Sequence, residues 1–546
     1  MKNEIISIIT DAINKLGISQ MPAIEVEVPP QETMGDIATP VAMSLAKLLK
    51  KSPGKIAEEL VSYMSINDIF EKIEIAGPGF INFTFSKNYL ISKLNEILQK
   101  PSVFLRKNIG HGRKVQIEFV SANPTGPLHL GHGRGAATGA ALSNLLRAAG
   151  FNVIREYYIN DAGRQVKLLG HSVFAKYREM QGIEYPFPED GYKGLYVEDI
   201  AKEIFKKEGG KYLQSGFDEV ADFFIDYSYK KILDDIKEDL KAFGIFFDVW
   251  QSERELFDSG DVDKALEYLK AKEYIYEKDG AVWFRSSFFG DEKDRVVIKQ
   301  DGEYTYFTSD IAYHKKKIEK GYDELIDIWG ADHHGYIPRV KAIIEAFGYP
   351  EDKLKVLLVQ MVSLLRAGKP VQMSKRAGEF ITLREVIDEV GADTTKFIFL
   401  TRRPDSHLEF DLEVAKMQSS ENPVFYVQYA YARINSIFRN AVEKGIDINK
   451  TNYNLQFLNT PEEFRIIKKL LMYPMIFEGA VKTHEPHRIT FYLQELAGLF
   501  HPYYNKYRVL ANNNELTVAR LLLCKAVKEI LEEGLKILGI SAPDRM

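Results

Sequence analysis

Apolar positions recur at three- and four-residue spacing through residues 1–17, which predicts an amphipathic first helix. The same period returns over 42–49 and 55–64, whereas 24–28, 73–76 and 81–85 are short runs rich in Ile, Val and Phe that predict strands. Residues 1–105 thus read as an α/β unit of their own. From 106 to 404, strand and helix patterns alternate, starting with an apolar strand at 115–120 and an Ala-, Gly- and Leu-rich helix that opens near His132. Inside that span, residues 180–295 form a charged, mostly helical insertion. Its segment 217–243 is dense in Asp, Glu and Lys and fits a solvated helix face. Beyond Asp405 the pattern is helical almost to the end, with Pro423, Pro474 and Pro502 as helix starts or breaks.

Such alternation needs a parallel sheet with helices on both faces, so the predicted fold class is α/β. A Rossmann-type central domain (106–404) lies between an N-terminal α/β domain (1–105) and a C-terminal α-helical bundle (405–546). A chain of 546 residues exceeds what one core supports. Hydrophobic content of 45% with 27% charged residues fits a soluble globular chain. The formal charge of −5 does not advertise a polyanion partner, but such binding depends on where Lys and Arg gather. Cys524 is the single cysteine, which excludes an internal disulfide framework and a Cys-based structural zinc site and fits a reducing cytoplasm. No apolar run approaches the roughly 20 residues that span a bilayer. Residues 1–17 also lack the basic-then-apolar plan of a secretory leader. A cytoplasmic chain without membrane association is expected, with a monomer as the default.

The chemistry is concentrated in two short segments. In Ser121-Ala122-Asn123-Pro124-Thr125-Gly126-Pro127-Leu128-His129-Leu130-Gly131-His132 a strand turns and opens a helix, which aims backbone N–H groups and the positive helix end at a phosphate. His129 and His132 can donate to phosphate oxygens, and Gly131, lacking Cβ, lets a nucleotide lie against the backbone. Far along the chain, Gln372-Met373-Ser374-Lys375-Arg376 is a basic loop whose Lys375 ammonium can neutralise charge on a departing pyrophosphate.

Together these segments resemble the two ATP-handling signatures of class I aminoacyl-tRNA synthetases. The resemblance implies that His129, Gly131, His132, Met373, Ser374 and Lys375 bind ATP, with Asp332 beside the ribose or substrate, and that His129, His132 and Lys375 are catalytic. The usual Lys-Met-Ser-Lys-Ser pattern begins with lysine and ends with serine, whereas this chain has Gln372 and Arg376. A two-lysine arrangement is therefore not reproduced. Gly35-Asp36-Ile37-Ala38-Thr39 and Gly77-Pro78-Gly79-Phe80-Ile81-Asn82-Phe83 resemble the N-terminal domain peculiar to arginyl-tRNA synthetases, which contacts the tRNA D-loop. Asn422-Pro423-Val424-Phe425-Tyr426-Val427-Gln428-Tyr429-Ala430-Tyr431-Ala432-Arg433-Ile434 and the ending Gly539-Ile540-Ser541-Ala542-Pro543-Asp544-Arg545-Met546 resemble the anticodon-binding bundle of that family.

The resemblance covers nearly the whole chain and implies an arginine–tRNA ligase with ATP and Mg²⁺, arginine and tRNA(Arg) as its partners. Phe80 would stack on a base and Asn82 read its edge. Tyr426, Tyr429, Arg433 and the terminal Met546 would meet the anticodon arm, where rings and guanidinium planes suit unstacked bases. From the residues alone, Gly77-Pro78-Gly79 reads equally well as a plain turn and Phe80 as a core aromatic.

A guanidinium ligand needs carboxylates, best in bidentate geometry. Glu118 stands in an otherwise apolar strand and needs a partner. The family pattern implies that Glu118 and Asn123 bind the α-amino end of arginine, that Tyr306 and Asp310 hold its guanidinium, and that Asp332 is a further contact. Taken alone, Asp310 reads equally well as a helix N-cap before Ile311-Ala312-Tyr313, and the two histidines as ordinary capping or buried residues. Asp332-His333-His334 lacks the third or fourth donor of a divalent site, so no protein-held metal is expected. The resemblance also implies transfer first to the 2′-hydroxyl and activation that requires bound tRNA. Competing readings are a class I synthetase for cysteine or glutamate, a catalytically silent tRNA-binding relative, and a small-molecule nucleotidylyltransferase. The single cysteine, the acidic pocket, the intact His129, His132 and Lys375, and the helical C-terminal domain respectively stand against them.

Overall fold

The structure is a computed structural model that describes every residue except 19–20, 65–67, 372–380 and 449–452. In the N-terminal unit, α1 (Lys2–Lys15), α2 (Val41–Leu49) and α3 (Pro53–Tyr63) accompany an antiparallel sheet of β1 (Ile37–Thr39), β2 (Phe70–Ala76) and β3 (Phe80–Phe85), in the order β1-β3-β2. The strand expected at 24–28 is reduced to one bridge, in which Glu27 and Ala38 exchange backbone bonds of 2.9 and 2.8 Å. Pro22 behind it and Pro29-Pro30 ahead carry no N–H, which bounds the segment on both sides. Helices α4 (Lys87–Gln99) and α5 (Pro101–Leu105) lead out of this unit.

The central domain starts with β4 (Lys114–Glu118), α6 (Leu130–Ala148), β5 (Asn152–Ile159) and α7 (Arg164–Glu179). It continues through α8 (Leu195–Glu208), α9 (Phe217–Ala242), β6 (Val249–Ser252), α10 (Glu253–Asp258) and α11 (Asp261–Ala271). Next come β7 (Ile275–Lys278), β8 (Ala281–Phe284), β9 (Arg295–Ile298), α12 (Tyr306–Glu319), β10 (Glu324–Gly330), α13 (Ile337–Ala346) and β11 (Leu354–Val359). Among the described residues, β11-β10-β4-β5-β6 form a five-stranded parallel sheet. The chain builds outward from β4 on one side and returns on the other at β10, so the order reverses between β4 and β10. Beyond the carboxyl ends of these two strands lies the crevice where such folds bind nucleotides. Val115, Gln116, Ile117 and Glu118 of β4 are all buried, as a strand covered on both faces must be.

The insertion is only half helical. One face of α9 buries Phe224, Ile225, Ile232, Ile236 and Leu240 while its other face carries the charges, as the sequence implied. Past it, β6 joins the central sheet and β7-β8-β9 form an antiparallel sheet. The β7–β8 hairpin turns on Asp279-Gly280, with φ of +52° and +74°, the left-handed pair that a two-residue turn requires.

The chain then forms β12 (Val362–Arg366), β13 (Lys369–Pro370), α14 (Leu383–Val390), α15 (Ala392–Phe399), β14 (Leu408–Asp411) and α16 (Leu412–Lys416). The helical run expected from Asp405 is thus preceded by a strand, β14, that pairs in parallel with β12. The bundle is α17 (Pro423–Glu443), α18 (Pro461–Thr483), α19 (His487–Lys506) and α20 (Asn514–Ile537). Pro423 starts α17, but Pro474 and Pro502 break nothing and sit inside α18 and α19. Burial of Leu470, Leu471, Phe477, Leu496 and Phe500 on those helices outweighs the roughly 3 kcal/mol that an interior proline costs.

Candidate active site

The strand that leads to the histidine motif ends sooner than its apolar pattern implies. Val120 and Ser121 take φ of +69° and +38°, a conformation costing about 1–3 kcal/mol for such residues. The surroundings hold the bend: Ser121 Oγ donates to Glu118 Oε1 (2.9 Å) and accepts from the Tyr158 N–H (3.1 Å), and the buried Tyr157 hydroxyl donates to the Ala122 carbonyl (2.9 Å). The chain then reaches α6, whose N-cap is His129.

The two imidazoles act as a reciprocal cap. His129 Nδ1 accepts from the Gly131 N–H (3.1 Å), the His129 N–H donates to His132 Nδ1 (3.3 Å), and the rings stack 3.7 Å apart. With Nδ1 taken by backbone donors, the neutral form of each ring carries its hydrogen on Nε2. Burial, then His129, pushes His132 down to about 3, so this ring is a neutral donor at physiological pH. The Gly131 N–H is consequently committed to His129. Gly131 is also sterically required, because a Cβ there would stand 2.9 Å from His129 Cε1.

Gln372, Met373, Ser374, Lys375 and Arg376 lie outside the described residues. The chain on both sides of them is anchored. Before them, the Val371 N–H donates to the Leu364 carbonyl of β12 (2.9 Å). After them, Thr382 bridges to His129, and the Leu383 N–H donates to the Leu128 carbonyl (2.7 Å).

Helix α12 supplies the acidic wall. Thr305 is its N-cap, so Asp310 lies a full turn inside and the capping reading is overturned. The Asp310 carboxylate accepts from the Tyr336 hydroxyl, and burial pushes its pKa up. Tyr306, one turn earlier on the same face and 57% exposed, lies beside Gly163, where a Cβ would stand 3.3 Å from the ring. Asn123 is exposed, and its side chain has no hydrogen-bond partner among the described residues, while Asp332 is exposed with His333 Nε2 3.7 Å away. Among the described residues, no three His, Cys, Asp or Glu side chains are grouped to hold a metal ion.

One carboxylate beside this wall was not found from sequence. Glu253 is buried at the start of α10; its Oε1 accepts from Ser309 (2.6 Å), and its Oε2 has no hydrogen-bond partner among the described residues. Burial first, and then Asp310 and Asp161, push it up to about 7. A cation bound here favours the ionised form, so the KM of a guanidinium substrate should rise as pH falls below about 7. Glu253→Gln should flatten that dependence between pH 6 and 8; an unchanged slope in the variant would clear Glu253 of the role.

Behind the wall, register places Asp327, Glu118 and Glu156 side by side on β10, β4 and β5. Three carboxylates one strand apart repel. They are held by Lys317 of α12, fully buried, which donates to Glu118 and to Asp327 (2.8 Å). Tyr313 bridges Glu118 (2.9 Å) and Glu156 (3.0 Å), and Lys320 reaches Glu156 (3.3 Å). Burial pushes the Glu118 carboxyl up while Lys317 pulls it down. Glu118 thus already accepts from Ser121, Tyr313 and Lys317, and it supports the site from below.

The residues singled out for RNA fall in two places. Phe80 is half-buried at the start of β3, but Asn82 is only 8% exposed, which leaves little of it for a base. On α17 and α19, Arg433 lies 4.5 Å from the ring centroids of both Tyr429 and Tyr504, and it donates to Tyr429 Oη (3.1 Å) and His501 Nδ1 (3.0 Å). His501 in turn donates from Nε2 to the Tyr426 carbonyl (3.0 Å), which locks a neutral tautomer. Met546 is exposed at the end of a tail that Asn435 and Arg439 tie to α17 through Asp544.

Comparison with known proteins agrees with this arrangement. Residues 3–85 match the family "Arginyl tRNA synthetase N terminal domain", residues 93–415 match "tRNA synthetases class I (R), catalytic domain", and residues 427–546 match "DALR anticodon binding domain". The chain is 52% identical to the arginine–tRNA ligase of Citrifermentans bemidjiense over 96% of both chains, and 45% identical to that of Aquifex aeolicus over the full length of both. In fold it is similar to the Thermus thermophilus arginyl-tRNA synthetase, with a TM-score of 0.78 at 23% identity over all of both chains. By its class I catalytic domain, the two flanking domains and identity along nearly its whole length, the chain belongs to the arginyl-tRNA synthetases.

Proposed function

We propose that this protein activates arginine with MgATP and transfers it to the 3′-terminal ribose of tRNA(Arg), at the 2′-hydroxyl first, acting as a cytoplasmic monomer. The observation that carries the reading is the Asp310 carboxylate, half-buried one turn from Tyr306 on α12 and hydrogen-bonded by Tyr336, which follows β10 where the parallel sheet reverses its strand order. A guanidinium satisfies that carboxylate with two parallel charge-assisted bonds, while a neutral isostere leaves its charge uncompensated, which discriminates by about 10⁴.

In the first step an arginine carboxylate oxygen attacks the α-phosphorus of ATP and the bond to pyrophosphate breaks, giving arginyl-adenylate. The Nε2–H donors of His129 and His132 stabilise the phosphate oxygens, and magnesium arrives with the nucleotide as part of the substrate. Lys375, with Met373 and Ser374 around it, neutralises the departing pyrophosphate. Asn123 takes the α-amino end with Glu118 beneath it, and Asp332 lies beside the ribose. In the second step the ribose hydroxyl attacks the activated carbonyl, AMP leaves, and the hydroxyl proton passes to solvent. The protein orients and neutralises, and no proton-relay triad is required.

Phe80 of the N-terminal unit reaches the D-loop, and Tyr426, Tyr429, Arg433 and Met546 receive the anticodon arm. Activation waits for tRNA. Pyrophosphate exchange tests this: arginine-dependent exchange is expected with tRNA(Arg) present and at background without it. Equal exchange in its absence would remove the tRNA requirement, and no exchange in either case would overturn the ligase reading.

A further inference from the structure

Arg134 lies two residues beyond His132 in α6, and it is 0% exposed. A guanidinium carried that deep usually meets a carboxylate. Arg134 instead meets three backbone carbonyls: Nη1 donates to Gln360 (2.9 Å) and Ser406 (2.8 Å), and Nη2 to Arg403 (2.8 Å). These carbonyls belong to two loops. Gln360 stands between β11 and β12, and Arg403 and Ser406 lie just before β14. The loops are also tied to each other, because the Gln360 N–H donates to the Pro404 carbonyl (2.8 Å).

The loops lead to the paired strands β12 and β14, and β12 continues through β13 to Val371, which immediately precedes the basic motif. Arg134 therefore fastens the histidine-motif helix to the base of the strands that carry the other ATP segment. Where the chain returns, Thr382 and Leu383 are fastened to His129 and Leu128. An apolar side chain would fill the same space without the cost of burying a charge, but it would not set the distance between two loops. The planar fork of arginine does, since its donors point in fixed directions.

We propose that Arg134 is a positioning residue for the adenylation step: by binding the carbonyls of Gln360, Arg403 and Ser406 it fixes the separation between the histidine pair and the strands bearing the basic motif. The proposal rests on the ligase reading above. It places the effect of Arg134 in the turnover of ATP and not in arginine or tRNA recognition.

The test uses the full chain with Arg134→Met and Arg134→Lys. Arginine-dependent pyrophosphate exchange with tRNA, tRNA affinity and thermal melting are measured beside the unaltered protein. Misplacement of the reacting groups by about 1 Å costs on the order of 10²-fold in rate, so Arg134→Met should lose about that much in kcat. Its arginine KM and tRNA affinity should stay within about threefold of the parent, the size of effect expected where no contact is lost. Arg134→Lys, which keeps the charge and part of the donor set, should recover roughly tenfold of the loss. A kcat equal to the parent's in Arg134→Met would overturn the proposal, as would parallel losses in kcat, arginine KM and tRNA affinity. Should Arg134→Met fail to melt cooperatively, Arg134→Lys decides alone, and parental turnover there overturns the proposal. Absence of exchange in the unaltered protein would instead overturn the ligase reading on which it rests.

Discussion

Asp310→Asn should raise the arginine KM by on the order of 10²–10³-fold, because losing one partner of a buried charge pair costs about 2–5 kcal/mol. The substitution keeps the shape of the side chain and its contact with the Tyr336 hydroxyl while removing the charge. The charge matters because α12 seats Asp310 where burial already raises its pKa, so an arriving guanidinium gains a partner in a poorly solvated place. The ATP KM should remain within about threefold, since the hydrogen-bond partners of Asp310 among the described residues, His314 and Tyr336, are not residues assigned to the nucleotide. Steady-state charging at varied arginine and fixed saturating ATP measures both. An arginine KM that stays within threefold would remove Asp310 from guanidinium recognition and leave the selection to Tyr306 and Glu253.

The second large effect is on stability. Lys317→Met should destabilise the fold by about 3–5 kcal/mol, the usual result of stripping the partner from buried charges. Three carboxylates stand in one row across β10, β4 and β5, and Lys317 is the cation fully buried among them. Lys320 holds only Glu156 among the described residues, from a partly exposed position. The pH dependence of the variant has a definite sign. Burial already holds the Glu118 carboxyl above its ordinary value, and without the lysine it sits higher still, while His314 keeps its contact with Asp327 (3.3 Å), so at Glu118 the folded state binds more protons than the unfolded state. Stability of the variant should therefore fall as pH rises from about 4 to 7, more steeply than in the parent. Urea unfolding at several pH values would show this, and adding Asp327→Asn to the variant should restore part of the loss. A variant with the parent's midpoint at pH 7 would mean that water or another cation neutralises the row.

Much of the architecture could be read from periodicity because long elements repeat their signal. The alternation from β4 onward, α9 with its single apolar face, and the helices of the bundle each carry several turns of pattern. The failures have local causes. Pro474 and Pro502 look like breaks because propensity is local, whereas the burial that sustains α18 and α19 comes from neighbouring helices. β14 has four residues, too few to show a period, and its partner β12 lies in a different stretch of the chain. The β7–β8 hairpin did have a signal in Asp279-Gly280, which a helical reading of the charged insertion concealed.

The site divides in the same way. His129, Gly131 and His132 are adjacent in sequence, and their adjacency is the chemistry. Lys317 is one of three consecutive lysines, and choosing it requires noticing that Asp310, His314 and Lys317 recur at positions i, i+4 and i+7 of one helix. Glu253 carries little signal, because Ser252 is the N-cap of α10 and an acid in the first turn of a helix is ordinary. Arg134 has no sequence signal at all, since its partners are the backbones of two distant loops.

Selection of a guanidinium by acidic side chains at the sheet's reversal point, for transfer to tRNA, has a direct consequence for which amino acids are charged. Charging of a bulk tRNA pool with MgATP, run separately for each of the twenty amino acids and for citrulline, tests it most directly. The expected result is charging by arginine alone, with citrulline weaker by about 10⁴ because it leaves the carboxylate charge without a counter-charge. Charging by another amino acid, or by citrulline at a rate near that of arginine, would contradict the account.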